Sequence, residues 1–87
     1  MYSVKYSEGV LKQLKKMDIN VAAMIYKWIE SNLVGCDDPR ASGKTLTGDL
    51  RGYWRYRIGA YRLIAKIQDN ELLIEAINVG HRKNIYH

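Results

Sequence analysis

The chain contains no phenylalanine, one proline, one cysteine and only two histidines, His81 and His87. A single thiol cannot close an intramolecular disulfide, so the fold must stand without covalent help, and this usage suits a reducing, cytoplasmic setting. Two neighbouring histidines with no cysteine cluster leave a zinc site short of ligands, so no metal or other cofactor is expected. Uninterrupted apolar stretches span only a few residues, far below the about 20 that a membrane-crossing helix needs. Met1 to Tyr6 carries a lysine and no apolar run follows, so no signal peptide is expected either. No serine stands in a nucleophile-elbow setting and the glycines form no phosphate-loop pattern, which removes two common enzyme classes. Acidic side chains are the minority, 9 against 14 Lys and Arg, for a formal net charge of +5.

What is present fits one small domain spanning residues 1–87, with 47% hydrophobic residues arguing for a globular core rather than disorder. The positive excess is local. Between residues 51 and 70, Arg51, Arg55, Arg57, Arg62 and Lys66 stand against Asp69 alone and are interleaved with Tyr53, Trp54, Tyr56 and Tyr61. Arginine mixed with aromatics is the composition of a surface that takes phosphates and bases; a solvated strand face with buried aromatics between the charges is the plainer reading.

Periodicity predicts a short strand at Tyr2–Tyr6, then a helix capped by Ser7 with Glu8 in its first turn and Val10, Leu11, Leu14 and Met17 on one side. Asp18 or Asn20 caps a second, longer helix, whose apolar stripe is Val21, Met24, Ile25, Trp28, Ile29 and Leu33 and which ends at Gly35. Residues 35–52 read as loop. Three strand-like runs follow, Tyr53–Ile58, Tyr61–Gln68 and Leu72–Val79, joined by the two-residue connections Gly59–Ala60 and Asp69–Asn70. The expected class is α+β: an N-terminal strand, a two-helix hairpin, and a three-strand antiparallel meander whose one face the helices cover.

Strand alternation then sorts the charges. Trp54, Tyr56 and Ile58 share one face of the first meander strand, and Tyr61, Leu63, Ala65 and Ile67 share one face of the second. These greasier sets should meet the helices, which places Arg55, Arg57 and Arg62 together on the open face. Three guanidiniums there repel one another unless an anion normally sits among them; pointing apart into water or pairing with Glu75 is the alternative. Trp28 and Trp54 read as core.

The segment running from Asp49 through Tyr53-Trp-Arg-Tyr-Arg-Ile-Gly-Ala-Tyr-Arg62 to Ile64, followed by Val79-Gly-His-Arg-Lys-Asn-Ile-Tyr86, resembles the RelE/ParE superfamily of toxins from type II toxin–antitoxin pairs, and within it the RelE branch. That resemblance implies two helices on an antiparallel sheet, cleavage of messenger RNA in the ribosomal A site, and a cognate antitoxin that wraps and blocks the toxin. It matches Arg55 and Arg57 to a basic pair on the family's strand, Arg62 to the arginine that holds the scissile phosphate, Arg82 to an arginine near the leaving group, and Tyr86 to a terminal tyrosine. His81 falls at a tail position that is histidine or lysine. Ala60 stands where many members carry an acidic side chain.

Metal-free RNA cleavage uses the substrate's own 2′-hydroxyl as nucleophile, and so needs a proton acceptor, cations on the phosphoryl oxygens and a proton donor for the departing 5′-oxygen. Histidine, titrating at about 6.5, suits both proton tasks. Arginine, permanently charged, suits the clamp. With the roles the resemblance implies, the expected catalytic set is Arg62, His81, Arg82 and Tyr86, with Arg55, Arg57, Lys83 and His87 contacting RNA; Tyr86 can stack on a base or relay a proton, or else cover the sheet edge. Expected partners are the 70S ribosome with its messenger RNA, and a short antitoxin, acidic and apolar, partly disordered alone. A gyrase-poisoning ParE-like toxin and a non-catalytic RNA-binding module are the alternatives; neither needs a phosphate clamp beside a titratable tail.

Overall fold

A computed structural model describes residues 1–46, 48 and 52–81. Strand β1 (Ser3–Tyr6) leads into helix α1 (Glu8–Lys16) and helix α2 (Ile19–Asn32); β2 (Lys44–Thr45), β3 (Trp54–Ile58), β4 (Tyr61–Gln68) and β5 (Leu73–His81) follow. The five strands form one sheet in the order β1-β5-β4-β3-β2. β1 runs parallel to β5, and the remaining pairs are antiparallel. The α+β class and the meander thus stand as expected. The loop assigned to residues 35–52 contains a short strand, β2, which hydrogen-bonds to β3 and lengthens the sheet by one edge.

Local chemistry explains the elements. Ser7 Oγ accepts the Val10 amide at 3.1 Å, and Glu8 and the Lys15–Lys16 pair complement the dipole of α1. Of the two candidate caps for α2, Asp18 is the one used, its Oδ1 accepting the Asn20 amide at 2.8 Å. Val10 and Leu14 of α1 and Ile25, Ile29 and Leu33 beside and within α2 are buried with Tyr56, Leu63 and Ala65 of the sheet. Each large aliphatic sealed this way contributes roughly 1.5–3 kcal/mol. Leu11 and Met24, placed on the apolar stripes above, lie at their rims and stay 38% and 42% exposed.

Gly59 takes φ +60 while Ala60 does not adopt a positive φ, the arrangement of a type II′ hairpin turn. The second connection departs from expectation. Asp69–Glu71 forms a 3-10 turn and Leu72 takes the left-handed conformation, so Gln68 pairs with Leu73 across four residues rather than two. An Asp-Asn pair lacks the glycine that makes two consecutive positive φ values cheap.

A bulge in β5 has the largest consequence for the site. Ile64 pairs with Asn78 but Ala65 pairs with Ala76, so Ile77 is an extra residue on β5. Ile74, Ala76 and Val79 are all buried in the core, and strict alternation could not turn all three inward. The extra residue shifts the phase so that Val79 meets Leu63. Beyond β1, where β5 would offer a bare edge, Gln13 of α1 takes over: its Oε1 accepts the Val79 amide and its Nε2 donates to Asn78 Oδ1, both at 2.8 Å.

Candidate nucleic-acid interface

The arginines sit where alternation places them. Tyr56 and Ile58 of β3 and Leu63 and Ala65 of β4 are buried under the helices, so Arg55, Arg57 and Arg62 project from the other face. Arg57 and Arg62 are direct cross-strand partners. Arg62 in turn pairs with Gly80 of β5, and a Cβ added at Gly80 would meet nothing within 4 Å among the described residues. Glu75, the alternative partner for the arginines, stands opposite Lys66 and accepts a hydrogen bond from Gln68.

A cavity of about 220 Å³ opens at this place, lined by Arg55, Arg57 and Arg62, by Lys44 of β2, and by Ser42, Gly43 and Trp28. Lys44 is the register partner of Arg55, which brings a fourth cation to the cluster. Trp28 belongs to α2 and packs its indole on Tyr56, with ring centroids 5.7 Å apart. It therefore reaches the cavity from the helix side of β3, at the edge that β2 leaves uncovered.

The loop before β2 is pinned at several points. Tyr56 Oη donates to the Pro39 carbonyl at 2.6 Å, and Trp54 Nε1 donates to the Ser42 carbonyl at 2.7 Å. Burial pushes the Tyr56 phenol well above its ordinary range. Arg40 forks onto Asp69, donating to both carboxylate oxygens at 3.0 and 3.1 Å, while Tyr2 Oη donates to the same group at 2.7 Å. These bonds, from Arg40 first and Tyr2 second, hold the Asp69 carboxyl below its usual range. Gly43, at φ +87, lies so close to β3 that a Cβ there would fall 2.3 Å from the Arg55 carbonyl oxygen and 2.7 Å from Trp54 Nε1. Only glycine allows that approach.

The structure does not bring His81 to the arginines. His81 pairs with Tyr61, and their rings meet edge to face with centroids 5.5 Å apart. Tyr61 packs against the core, so this pair lies on the helix side of the sheet, opposite Arg62. The bulge is the reason: without the extra residue at Ile77, His81 would alternate onto the arginine face and Gly80 onto the other. Arg82, Lys83, Tyr86 and His87 lie outside the described residues. Sequence reasoning missed Lys44 and the wall made by Ser42 and Gly43, because a two-residue strand leaves no periodic signal, and it placed Trp28 wholly in the core.

Residues 4–86 match the family described as the ParE toxin of the type II toxin–antitoxin system parDE. The chain belongs to this toxin family. Its similar relatives include the toxin RelG of Mycobacterium tuberculosis, 28% identical over 85 residues and covering 98% of this chain and 95% of the relative. The toxin RelE of the same organism is 27% identical, with 98% and 86% covered. Among solved structures, the toxin–antitoxin complex RelBE2 of M. tuberculosis matches with a TM-score of 0.84 at 26% identity, over 95% of this chain and 93% of that one. The protein is thus a type II toxin of the RelE/ParE superfamily, and the arginine cavity lies on the open sheet face of a toxin fold. No helix among its described residues is long and apolar enough to cross a membrane.

Proposed function

We propose that this toxin is a metal-independent endoribonuclease that cuts messenger RNA bound in the ribosome and thereby inhibits translation. The observation that carries the reading is the clustering of Arg55, Arg57, Arg62 and Lys44 around one cavity, an arrangement suited to a phosphodiester and its neighbours. In this reading the substrate's 2′-oxygen attacks the adjacent phosphorus and loses its proton. The P–O5′ bond breaks, and the 5′-oxygen leaves with a proton. Arg62, flanked by Arg55 and Arg57, neutralises the charge that builds on the phosphoryl oxygens, and such preorganised cations supply a large share of catalysis. Proton transfer falls to the end of the chain, to Tyr86 as a relay, with Arg82 steadying the charge on the departing 5′-oxygen and Lys83 and His87 contacting RNA. His81 was expected to share that work, but a base must come within hydrogen-bond reach of the proton it takes. From the helix side of the sheet His81 is better placed to anchor the strand end through Tyr61.

The shortage of efficient proton-transfer groups explains why the ribosome is required: it would hold the 2′-oxygen in line with the phosphorus, an orientational gain worth up to about 7–11 kcal/mol. A cognate antitoxin is part of the same proposal, since the M. tuberculosis relative RelBE2 was solved as a toxin–antitoxin complex. An acidic, apolar segment that orders on binding would neutralise the arginine cluster. The matching family model is that of ParE toxins, which favours poisoning of DNA gyrase as the second reading.

One experiment separates them. After brief induction, messenger-RNA ends are mapped within minutes while plasmid supercoiling by gyrase is assayed in parallel. New ends within translated codons, with supercoiling unaffected, are expected. Intact message with inhibited supercoiling would move the protein to the gyrase reading. Co-expression of the adjacent reading frame should restore growth and co-purify.

A further inference from the structure

Trp28 is not sealed as a core tryptophan would be. Ile25 and Ile29, its neighbours on α2, are fully buried, whereas Trp28 is only half-buried. One side of its indole rests on Tyr56. The remainder lines the arginine cavity and also a second hollow of about 370 Å³ between Met24, Lys27, Ser31 and Asn32. An apolar, polarizable surface is thus held within one cavity with four cations. A free phosphate or sulfate has no use for the indole. A strand of unpaired RNA presents a flat base and a charged linkage side by side, and so can use both.

The wall facing the indole is built closely enough to orient such a ligand. Gly43 is pressed against the backbone of Arg55 and the ring of Trp54, and Trp54 is bound to the Ser42 carbonyl. Lys44, immediately after this wall, is exposed and lies opposite Arg55. We propose that Trp28 forms a base-stacking subsite for single-stranded RNA at the β3 edge, with the phosphate of that nucleotide lying between Lys44 and the arginines. The proposal rests on the RNA reading of the arginine cluster and adds a recognition element to it.

The test uses the intact toxin and a short single-stranded RNA with 2′-O-methyl sugars, which cannot be cut. The two indole N–H resonances are followed by nuclear magnetic resonance and assigned with a Trp54→Phe variant. The Trp28 signal should shift on titration, while an abasic oligomer of the same length, inorganic phosphate or an acidic peptide should leave it nearly in place. Trp28→Leu should weaken binding about tenfold or more, the size expected for one stacked base, and Trp28→Phe should retain most of it. Melting curves of both variants confirm folding, and should the leucine variant fail to fold, the abasic comparison on the parent protein decides alone. Equal shifts with based and abasic oligomers, equal binding by a folded Trp28→Leu variant, or no shift at millimolar oligomer would overturn the subsite. Cleavage is read separately: a toxin that stacks RNA on Trp28 yet never cuts message loses the nuclease reading and keeps the subsite, and a toxin that cuts message with no base-dependent shift does the reverse.

Discussion

Arg57 and Arg62 stand directly opposite one another on β3 and β4, with Gly80, which has no side chain, on the far side of Arg62. Like charges in register oppose strand pairing. Two guanidiniums kept there, with Arg55 and Lys44 lining the same cavity, suit the phosphate-binding role proposed for them. Arg62→Ala should therefore abolish most toxicity while leaving the far-ultraviolet circular dichroism of the parent. Losing one such charge contact costs about 2.7–4 kcal/mol in comparable sites, or roughly a hundredfold to a thousandfold in rate. Primer extension on ribosome-bound message measures it, and a variant that cuts at the parent rate removes Arg62 from the mechanism.

His81 provides the contrasting case. Its ring meets Tyr61 on the helix side of the sheet, on the face opposite the arginine cluster. Removing a true general base typically costs about 10²–10⁴ in rate. His81→Ala should cost less than about tenfold in cleavage, with a fall in melting temperature as the ring contact is lost. A hundredfold loss in cleavage with unchanged stability would mean that the strand end turns over when RNA binds.

These two residues also mark how far the sequence could be read. Arg55, Arg57 and Arg62 were legible because Tyr56, Ile58, Leu63 and Ala65 alternate cleanly with them, and a period of two assigns faces without any tertiary knowledge. His81 was not, because Ile77 breaks the phase in a run whose apolar residues hide the break. β2 and the Gly43 wall were invisible for another reason: two residues carry no period, and what holds them is the Tyr56–Pro39 and Trp54–Ser42 hydrogen bonds, contacts between segments distant in sequence. The parallel pairing of β1 with β5 is likewise a tertiary choice that no local pattern announces.

Tyr56 should matter for stability more than its position between two arginines suggests. Its side chain is fully buried and its hydroxyl donates to the Pro39 carbonyl at 2.6 Å. Tyr56→Phe leaves that carbonyl without its donor, at a cost of about 1–3 kcal/mol, or roughly 4–8 °C per kcal/mol in a domain of this size. The phenol's folded-state pKa is raised by burial, so the stability it contributes is intact below the unfolded value of about 10 and is lost as pH rises toward the folded value. The phenylalanine variant should thus be less stable at pH 7 yet lose less between pH 9 and 11. Thermal melts across that range check both halves, and parallel pH curves would contradict the assignment.

The last prediction concerns the clamp that ties the chain's beginning to the loop lining the cavity. Asp69 receives both Arg40 nitrogens and the Tyr2 hydroxyl, joining the β4–β5 turn, the start of β1 and the segment that continues through Pro39 and Ser42 to Gly43. All three side chains are solvent-accessible, so the clamp should act on local order rather than on global stability. The signs follow from the shifts. Asp69 has a depressed folded-state pKa, so its contribution is present above the unfolded value of about 3.9 and is lost as pH falls through the lower folded one. Tyr2 is raised, chiefly by its bond to Asp69, so its contribution is present below about 10 and is lost as pH rises through the higher folded value. Between those limits, the amides of residues 40–43 should exchange slowly in the parent and several-fold faster in Asp69→Asn, which keeps an acceptor for Tyr2 but loses the charged fork to Arg40. The looser loop should weaken RNA binding through displacement of Lys44 and Gly43 while leaving melting temperature within about 4 °C, since substitutions at exposed sites usually change stability by no more than about 0.5 kcal/mol. If the asparagine variant exchanges at the parent rate at pH 7, the loop is held by Tyr56 and Trp54 alone, and the fork on Asp69 has no part in shaping the cavity.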